Sequence, residues 1–488
     1  MNGHFLELLH ALLPEASLVL GALVVLGFDL FICKRNGSAE RVRAAAIIGI
    51  MAIAAAIYHA IDAGRPGPVF EGVLALDMLT TATRVGVLAL AGVTLLLMPG
   101  VVTLRNPAEY VAVVLFATTG FTLMAAAQQL LVVFLALELA SLSLYVLAGF
   151  DKTRPRSAEA GLKYFLFGGI SAAFLLFGFS LLYGMTGSIE LPEIARQLSA
   201  QGLNPVLVVA LVMVLVAFGF KAAAAPFHLW APDVYEGAPP SSAALIASAS
   251  KLAGFTLFAR LLWHGLAPVA GSVATIAGAP GWLPVVAVLS ALSLLIGNFA
   301  ALAQANVRRL LAYSAIAHAG VLLLGVIVAG RAGPAPLFYY ASTYGLATVG
   351  AFGVIAIVDR AAGCQQIADL AGLHRRSPLL AGCLFVFVLS LAGIPPLAGF
   401  FGKFSVFAAA LRLGGLAGIA GWLAILGILL SAVALYYYLV VLKQALVAPP
   451  AAGAAPIPVP VAARLTLFFT AAAVVLLGVF PSVLLQLF

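Results

Sequence analysis

Charge is scarce in this sequence. Of its 488 residues only 9% are Asp, Glu, Lys or Arg, while 64% are hydrophobic; soluble domains carry roughly a quarter charged residues. One soluble core cannot absorb that much apolar surface, because such cores stop growing at about 250–300 residues. The shortage of charge therefore excludes a soluble globular protein and makes lipid the main solvent. Cysteine is scarce too, with Cys33, Cys364 and Cys383 far apart. That spacing excludes a disulfide framework and any CxxC metal or cluster site, and the three read as small hydrophobic side chains. There is no CxxCH haem motif and no Gly-rich nucleotide loop. The net charge of +8 comes from short patches, not from a basic surface interleaved with aromatics, so nucleic acid is not an expected partner. The opening stretch MNGHFLELLHALLPEASLVLGALVVLGFDLF has no basic segment before its apolar run and does not read as a cleavable signal.

What the chain has instead is long apolar runs. A membrane-crossing helix needs about 20 mostly apolar residues. About fourteen such spans are legible, centred near residues 21, 52, 85, 118, 139, 173, 214, 252, 292, 319, 346, 393, 429 and 474. Strand-like alternation is rare, so the expected fold is an all-α polytopic membrane protein and not a barrel. Basic residues cluster in the connections after spans 1, 3, 5, 9, 11 and 13, from Lys34 and Arg35 through Arg308 and Arg309 to Lys443 and Arg464. The opposite side shows chiefly Arg65, Arg196, Arg331 and Arg412. This bias assigns the odd-numbered connections to the cytoplasm and both termini to the outside. The stretch APPAAGAAPIPVPVA, residues 448–462, reads as a linker before the last span. No connection is long enough for a soluble domain.

Against this background four charges stand out: Glu138, Lys221, Lys251 and Lys403, each inside an apolar run. Such a group costs about 2.5–3.5 kcal/mol near a helix centre, which makes it a functional candidate. The plainer reading is an ion pair that fixes helix packing, but three lysines outnumber one glutamate. A buried lysine can release its proton where an arginine cannot, so a Glu–Lys pair made and broken in lipid is a proton switch. Two breaks accompany these lysines. Pro226 interrupts span 7 beside Lys221, and Gly393, Pro395, Pro396, Gly399 and Gly402 precede Lys403 in span 12. Proline removes a backbone donor, and freed backbone groups at membrane depth persist only against protein or water. Each break is therefore expected to place a lysine beside local hydration.

The breaks lie five spans apart, and an odd repeat unit re-enters the membrane upside down. Spans 4–8 and 9–13 thus read as inverted repeats, as transporters are built. The implied organisation is a three-helix segment over 1–105, repeats over 106–265 and 280–445, and a linker with a last helix over 446–488. His228 and His318 are further relay candidates, against the reading of hydrogen-bonded packing histidines. Lys163 is another, against simple snorkelling. Asp29, Asp77, Arg84 and Arg260 serve packing, topology or subunit contacts, and Asp233 and Glu236 read as solvated.

LELASLSLYVLAGF, KYFLFG, FGFKAAAAPFHLWAPDVYEGAP, RRLLAYSAIAHAG and LSLAGIPPLAGFFGKF resemble the subunit N family within the antiporter-like subunits of the bacterial proton-pumping NADH–quinone oxidoreductase, respiratory complex I. The resemblance runs from about residue 10 to the end. It implies that Glu138 is the family's fifth-helix glutamate, Lys221 its seventh-helix partner, Lys251 the central eighth-helix lysine and Lys403 the twelfth-helix residue. Lysine at this last position argues against the sister subunit M, and the end at Phe488 against the longer subunit L. One departure is APPSSAALIASASK before Lys251, where the family tends to have Thr-Pro and bulkier residues. The resemblance further implies a proton-translocating subunit of the bacterial inner membrane, seated among other membrane subunits. It holds no cofactor of its own, with NADH, FMN, iron–sulfur clusters and quinone in partner subunits. A sodium/proton antiporter subunit is the alternative within transport, and a purely structural membrane scaffold the alternative outside it.

Overall fold

Fourteen helices among the described residues are long and apolar enough to cross a membrane. The computed structural model describes residues 2–33, 37–62, 67–70, 72–101, 105–276, 278–450 and 453–488. Lys34, Arg35, Arg65 and the linker residues Ala451 and Ala452 lie outside the described residues. The first three spans are Leu13–Cys33, Ser38–Ile61 and Met78–Pro99. Spans 4 to 8 are Pro107–Ala126, Leu130–Ala148, Pro155–Thr186, Pro205–Ala222 and Pro240–Gly265. Spans 9 to 11 are Trp282–Leu302, Val307–Ala332 and Ala335–Ala362. Span 12 is Ala398–Ala417, preceded by the shorter apolar helix Pro378–Ala392, and Ile419–Leu446 and Val461–Val479 complete the set. Every segment expected from the sequence is present, and the centre placed near residue 393 falls in the gap between the two helices of span 12.

Local chemistry sets the boundaries. Proline opens spans 4, 6, 7 and 8, where its missing N–H is no loss and its fixed φ suits the first turn. Left-handed Gly187 and Gly363 close spans 6 and 11. The connections then sort into two sets. Val73 O accepts from Gln128 N at 3.1 Å and Ile189 O from Leu130 N at 2.8 Å, which joins connections 2–3, 4–5 and 6–7 at one end. Val307 N donates to Gln365 O at 3.1 Å and Ile457 N to Arg376 O at 3.0 Å, which joins 9–10, 11–12 and 13–14 at the other. Even bonds to even and odd to odd, as strict alternation through a membrane requires.

Two small elements fill connections between the spans. A two-stranded hairpin, Gly67–Val69 with Leu74–Leu76, sits in connection 2–3, and a surface helix Leu191–Gln201 fills connection 6–7. The linker is held extended against its neighbours through Ile457 and through Arg376 Nε, which donates to Ala455 O at 3.3 Å. Within the bundle, spans 4 and 5 meet where Gly120 faces Ala140, and spans 9 and 10 where Gly297 faces Ala317 at the same spacing. A Cβ on Gly120 would lie 2.6 Å from Ala140 N, and one on Gly297 2.4 Å from Ala317 N. Glycine is required at both crossings.

Candidate functional site

The two proline-containing segments break their helices in the same way. Span 7 ends at Ala222, with Ala223 in the left-handed region at φ 53°. The first helix of span 12 ends at Ala392, with Gly393 left-handed at φ 89°. In a continuous helix the carbonyls of Ala222 and Ala392 would accept from the fourth residue on, which is Pro226 in one and Pro396 in the other. Proline has no N–H to give. Each orphaned carbonyl instead accepts from a lysine: Lys251 Nζ donates to Ala222 O at 2.6 Å, and Lys403 Nζ to Ala392 O at 3.0 Å. The freed Ala225 N is satisfied by Ser293 Oγ at 2.9 Å, and Trp230 Nε1 donates to Phe220 O at 3.1 Å beside Ala223 N at 2.9 Å.

Lys221 sits on the last turn before the first break. Its Nζ donates to Ser141 Oγ of span 5 at 3.0 Å. Glu138 lies one turn before Ser141, half-buried between the exposed Leu135 and Leu142. Among the described residues it has no hydrogen-bond or ion-pair partner, so the structure places Glu138 one turn from the serine that Lys221 binds and not in direct contact with Lys221. Lys251 reaches the other way as well, with Ala315 O of span 10 at 3.4 Å. One turn on, His318 is clamped between two phenols, Nδ1 at 2.5 Å from Tyr340 Oη and Nε2 at 3.1 Å from Tyr438 Oη. Tyr438 Oη also bonds Ser314 Oγ. A Cβ on Gly402 would lie 2.5 Å from the Tyr340 ring, so this tyrosine stands directly beside the residue before Lys403.

The polar groups thus form a row across the bundle: Glu138, Ser141, Lys221, Lys251, His318 with its tyrosines, and Lys403. Two small cavities interrupt it. One, lined by Lys221, Ala222, Ser250 and Lys251, and another, lined by Asn298, His318, Lys403 and Tyr437, each measure about 10 Å³, the size that admits a single water. All three lysines are buried.

The remaining candidates lie elsewhere. Lys163 belongs to an ionic cluster at the odd-connection end, 2.6 Å from both Glu159 and Asp233. Arg309 Nη1 closes that cluster at 2.6 Å from Asp233 and 3.0 Å from Glu236, and Arg156 joins it at 3.2 Å from Glu236. Asp233 and Glu236, expected as solvated side chains, are its acidic centre. Burial pushes the Asp233 carboxyl up, but the hydrogen bonds from Lys163 and Arg309 outweigh this and hold it below the usual carboxylate range. His228 is buried, and its Nδ1 lacks a partner among the described residues. Cys33, Cys364 and Cys383 are free thiols, and burial pushes Cys364 up to about 12. No group of three or more His, Cys, Asp or Glu among the described residues is placed to hold a metal ion.

Several site residues escaped the sequence reading. Ser141, Ser293 and the two carbonyls carry no signal in a single sequence, although the run Tyr436–Tyr437–Tyr438 in an apolar span is a visible clue to Tyr438. Span 8 is broken as well, which the sequence reading did not anticipate. Its helix stops at Ala247 and restarts at Ala249, with Ser248 at φ −115° and ψ −83° and its hydroxyl bonded back to Ala244 O at 2.6 Å. A serine that offers the backbone this local alternative interrupts the helix, and it does so within the departing segment that leads to Lys251.

Fold and site together define a polytopic helical membrane protein whose ionisable residues line its interior. Residues 127–435 match the family described as NADH:quinone oxidoreductase/Mrp antiporter, TM. The chain belongs to this family, and within it to the NADH-quinone oxidoreductase subunit N relatives. It is 48% identical to NADH-quinone oxidoreductase subunit N 2 of Acidobacterium capsulatum, with 98% of each chain covered. It is 38% identical to NADH-quinone oxidoreductase subunit N 1 of Roseiflexus castenholzii, over 97% of this chain and 96% of that one. A chain of respiratory complex I from Thermus thermophilus superposes with a TM-score of 0.80 at 34% identity, covering 97% of this chain and 98% of that chain. A chain of the Mrp complex from Dietzia shares the fold, with a TM-score of 0.81 at 21% identity over 99% and 96%.

Proposed function

We propose that this chain is a proton-translocating membrane subunit of a bacterial NADH–quinone oxidoreductase. Electron transfer from NADH to quinone occurs in partner subunits, and this chain, in the inner membrane, carries the coupled proton movement. The observation that carries the reading is the row of buried lysines whose ammonium groups, among the described residues, meet neutral oxygens and no carboxylate. A carbonyl or hydroxyl accepts from both –NH₃⁺ and –NH₂, so these contacts survive the loss of a proton. Lys221, Lys251 and Lys403 hold and pass the proton, with His318 and its two tyrosines between Lys251 and Lys403. Glu138 acts as the counter-charge that, on a signal from the partners, draws Lys221 across Ser141. Lys163 and His228 stand on the entrance side of the first break. Residues 106–265 and 280–445 act as the two inverted halves, a reading supported by the matched breaks and the matched glycine crossings.

The test is Lys251→Met in inside-out membrane vesicles holding the assembled complex. Proton pumping falls at least about tenfold while the amount of complex is unchanged, because a neutral side chain of similar size cannot relay. Unaltered pumping per complex would make the chain a scaffold. Sodium flux driven by a pH gradient and independent of NADH, in proteoliposomes, would make it a sodium/proton antiporter.

A further inference from the structure

Three buried hydroxyls lie between His318 and the odd-connection face with nothing to bond. Tyr344 of span 11 rests against His318, ring centroids 4.8 Å apart. Thr348 follows one turn on and Phe352 one turn beyond, so the three share a face of the helix. Those eight residues carry the face about 12 Å toward the end of span 11 that leads into connection 11–12. There the Phe352 ring meets Tyr235, centroids 5.8 Å apart. Tyr235 belongs to the short helix Trp230–Gly237 of connection 7–8, which also carries Asp233 and Glu236 of the ionic cluster. That cluster opens on a cavity of about 240 Å³ lined by Arg156, Glu159, Asp233, Glu236 and Arg309. Tyr235, Tyr344 and Thr348 are at most 3% exposed, yet none of their hydroxyl oxygens has a hydrogen-bond partner among the described residues. Burial pushes the Tyr235 phenol well above its usual range, and the nearby Tyr344 adds to the shift. Buried hydroxyls are normally bonded, and a buried water typically makes about three hydrogen bonds to groups left without partners. Each hydroxyl both donates and accepts, which is what a proton passing along a file of waters requires.

We propose that Tyr235, Thr348 and Tyr344 hold a file of bound waters that carries protons from the ionic cluster to His318, a second intake that does not pass the break in span 7. The proposal rests on the relay reading above. Two measurements on the assembled complex test it. Hydroxyl radicals generated in place by X-ray pulses label a buried tyrosine only where water is bound beside it. Tyr235 and Tyr344 are labelled at least about tenfold faster than Tyr110, which is equally buried but bonded to Ser242 Oγ at 2.9 Å. Labelling as slow as that of Tyr110 overturns the file. In inside-out vesicles, Tyr344→Phe with Thr348→Val lowers NADH-driven pumping about fivefold, the order of one lost hydrogen bond. The melting temperature of that complex holds or rises, because the deleted hydroxyls had no protein partner. Tyr235→Phe, on a different element, lowers pumping likewise and guards against a local packing defect. Normal pumping by either variant overturns the intake, whatever the labelling. Lys251→Met, measured alongside, separates the two readings. Normal pumping there with the file variants impaired counts against the relay alone, whereas impaired pumping there with the file variants normal removes the intake and leaves the relay.

Discussion

The buried arginines and the buried lysines of this protein live in opposite surroundings. Arg84 is fully buried and lies 2.9 Å from Glu15, and Arg260 is likewise 2.9 Å from Asp77. Arg308 pairs with Asp359, and the half-buried Arg309 with Asp233 and Glu236. Lys221, Lys251 and Lys403 instead donate to one serine hydroxyl and three backbone carbonyls. Permanent charge is neutralised on the spot, since an uncompensated buried ion costs several kcal/mol. The three lysines make no direct ion pair among the described residues, which under the proposed relay leaves their protons free to move, since a carboxylate in contact would hold them in place. Lys163, by contrast, is bound to two carboxylates, and it lies outside the row.

That contrast can be broken at either side. The largest effect is expected on the arginine side. Glu15→Gln strands the Arg84 guanidinium and lowers the stability of the subunit by about 3 kcal/mol, read as a loss of assembled complex on heating, with pumping per remaining complex unchanged. On the lysine side, Lys221→Arg assembles normally but pumps about tenfold less, because the new group keeps its proton. Near-normal pumping by this variant would remove proton release at position 221 from the mechanism. Ser141→Ala takes away the acceptor of Lys221, and losing one hydrogen bond of about 1 kcal/mol slows pumping about fivefold. Glu138→Gln combined with it should cost less than the two separate losses together, since both act on one lysine. The smallest effect belongs to the surface helix, where Arg196, and after it Gln197, hold the Glu193 carboxyl down to about 2. That pair stays ionised from neutral pH down to about pH 4, but it lies on the surface, where solvent screens it. Arg196→Gln therefore leaves melting temperature and pumping unchanged.

Much of this was legible in the sequence because membranes punish exceptions. Fourteen spans follow from hydropathy alone, and Glu138, Lys221, Lys251 and Lys403 declare themselves as charges where charge is costly. Pro226 and Pro396 announce the breaks for the same reason, since they delete donors that lipid cannot replace. What stayed hidden depends on which helices meet. Nothing near Ala222 in sequence says that Lys251 will take its carbonyl, and Ser141 is an ordinary serine until Lys221 arrives from span 7. Asp233 and Glu236 read as solvated because Arg156, Lys163 and Arg309 reach them from the ends of spans 6 and 10. The interruption at Ser248 depends on a hydroxyl choosing the backbone over solvent, a choice made only where no solvent is available.

The crossings at Gly120 and Gly297 carry a mechanical consequence. Where one helix backbone rests against another with no side chain between them, there is no compliant layer to absorb a sliding stroke. Spans 4 and 5, and likewise 9 and 10, behave as stiff couples, and displacing one member by the width of a methyl group means pulling the couple apart. Glu138 and Ser141 ride on one couple, His318 on the other. Under the proposed relay, an impulse from neighbouring subunits would be transmitted through a rigid chassis, and the moving parts would be the lysine side chains: light, short-throw components in a frame built not to flex.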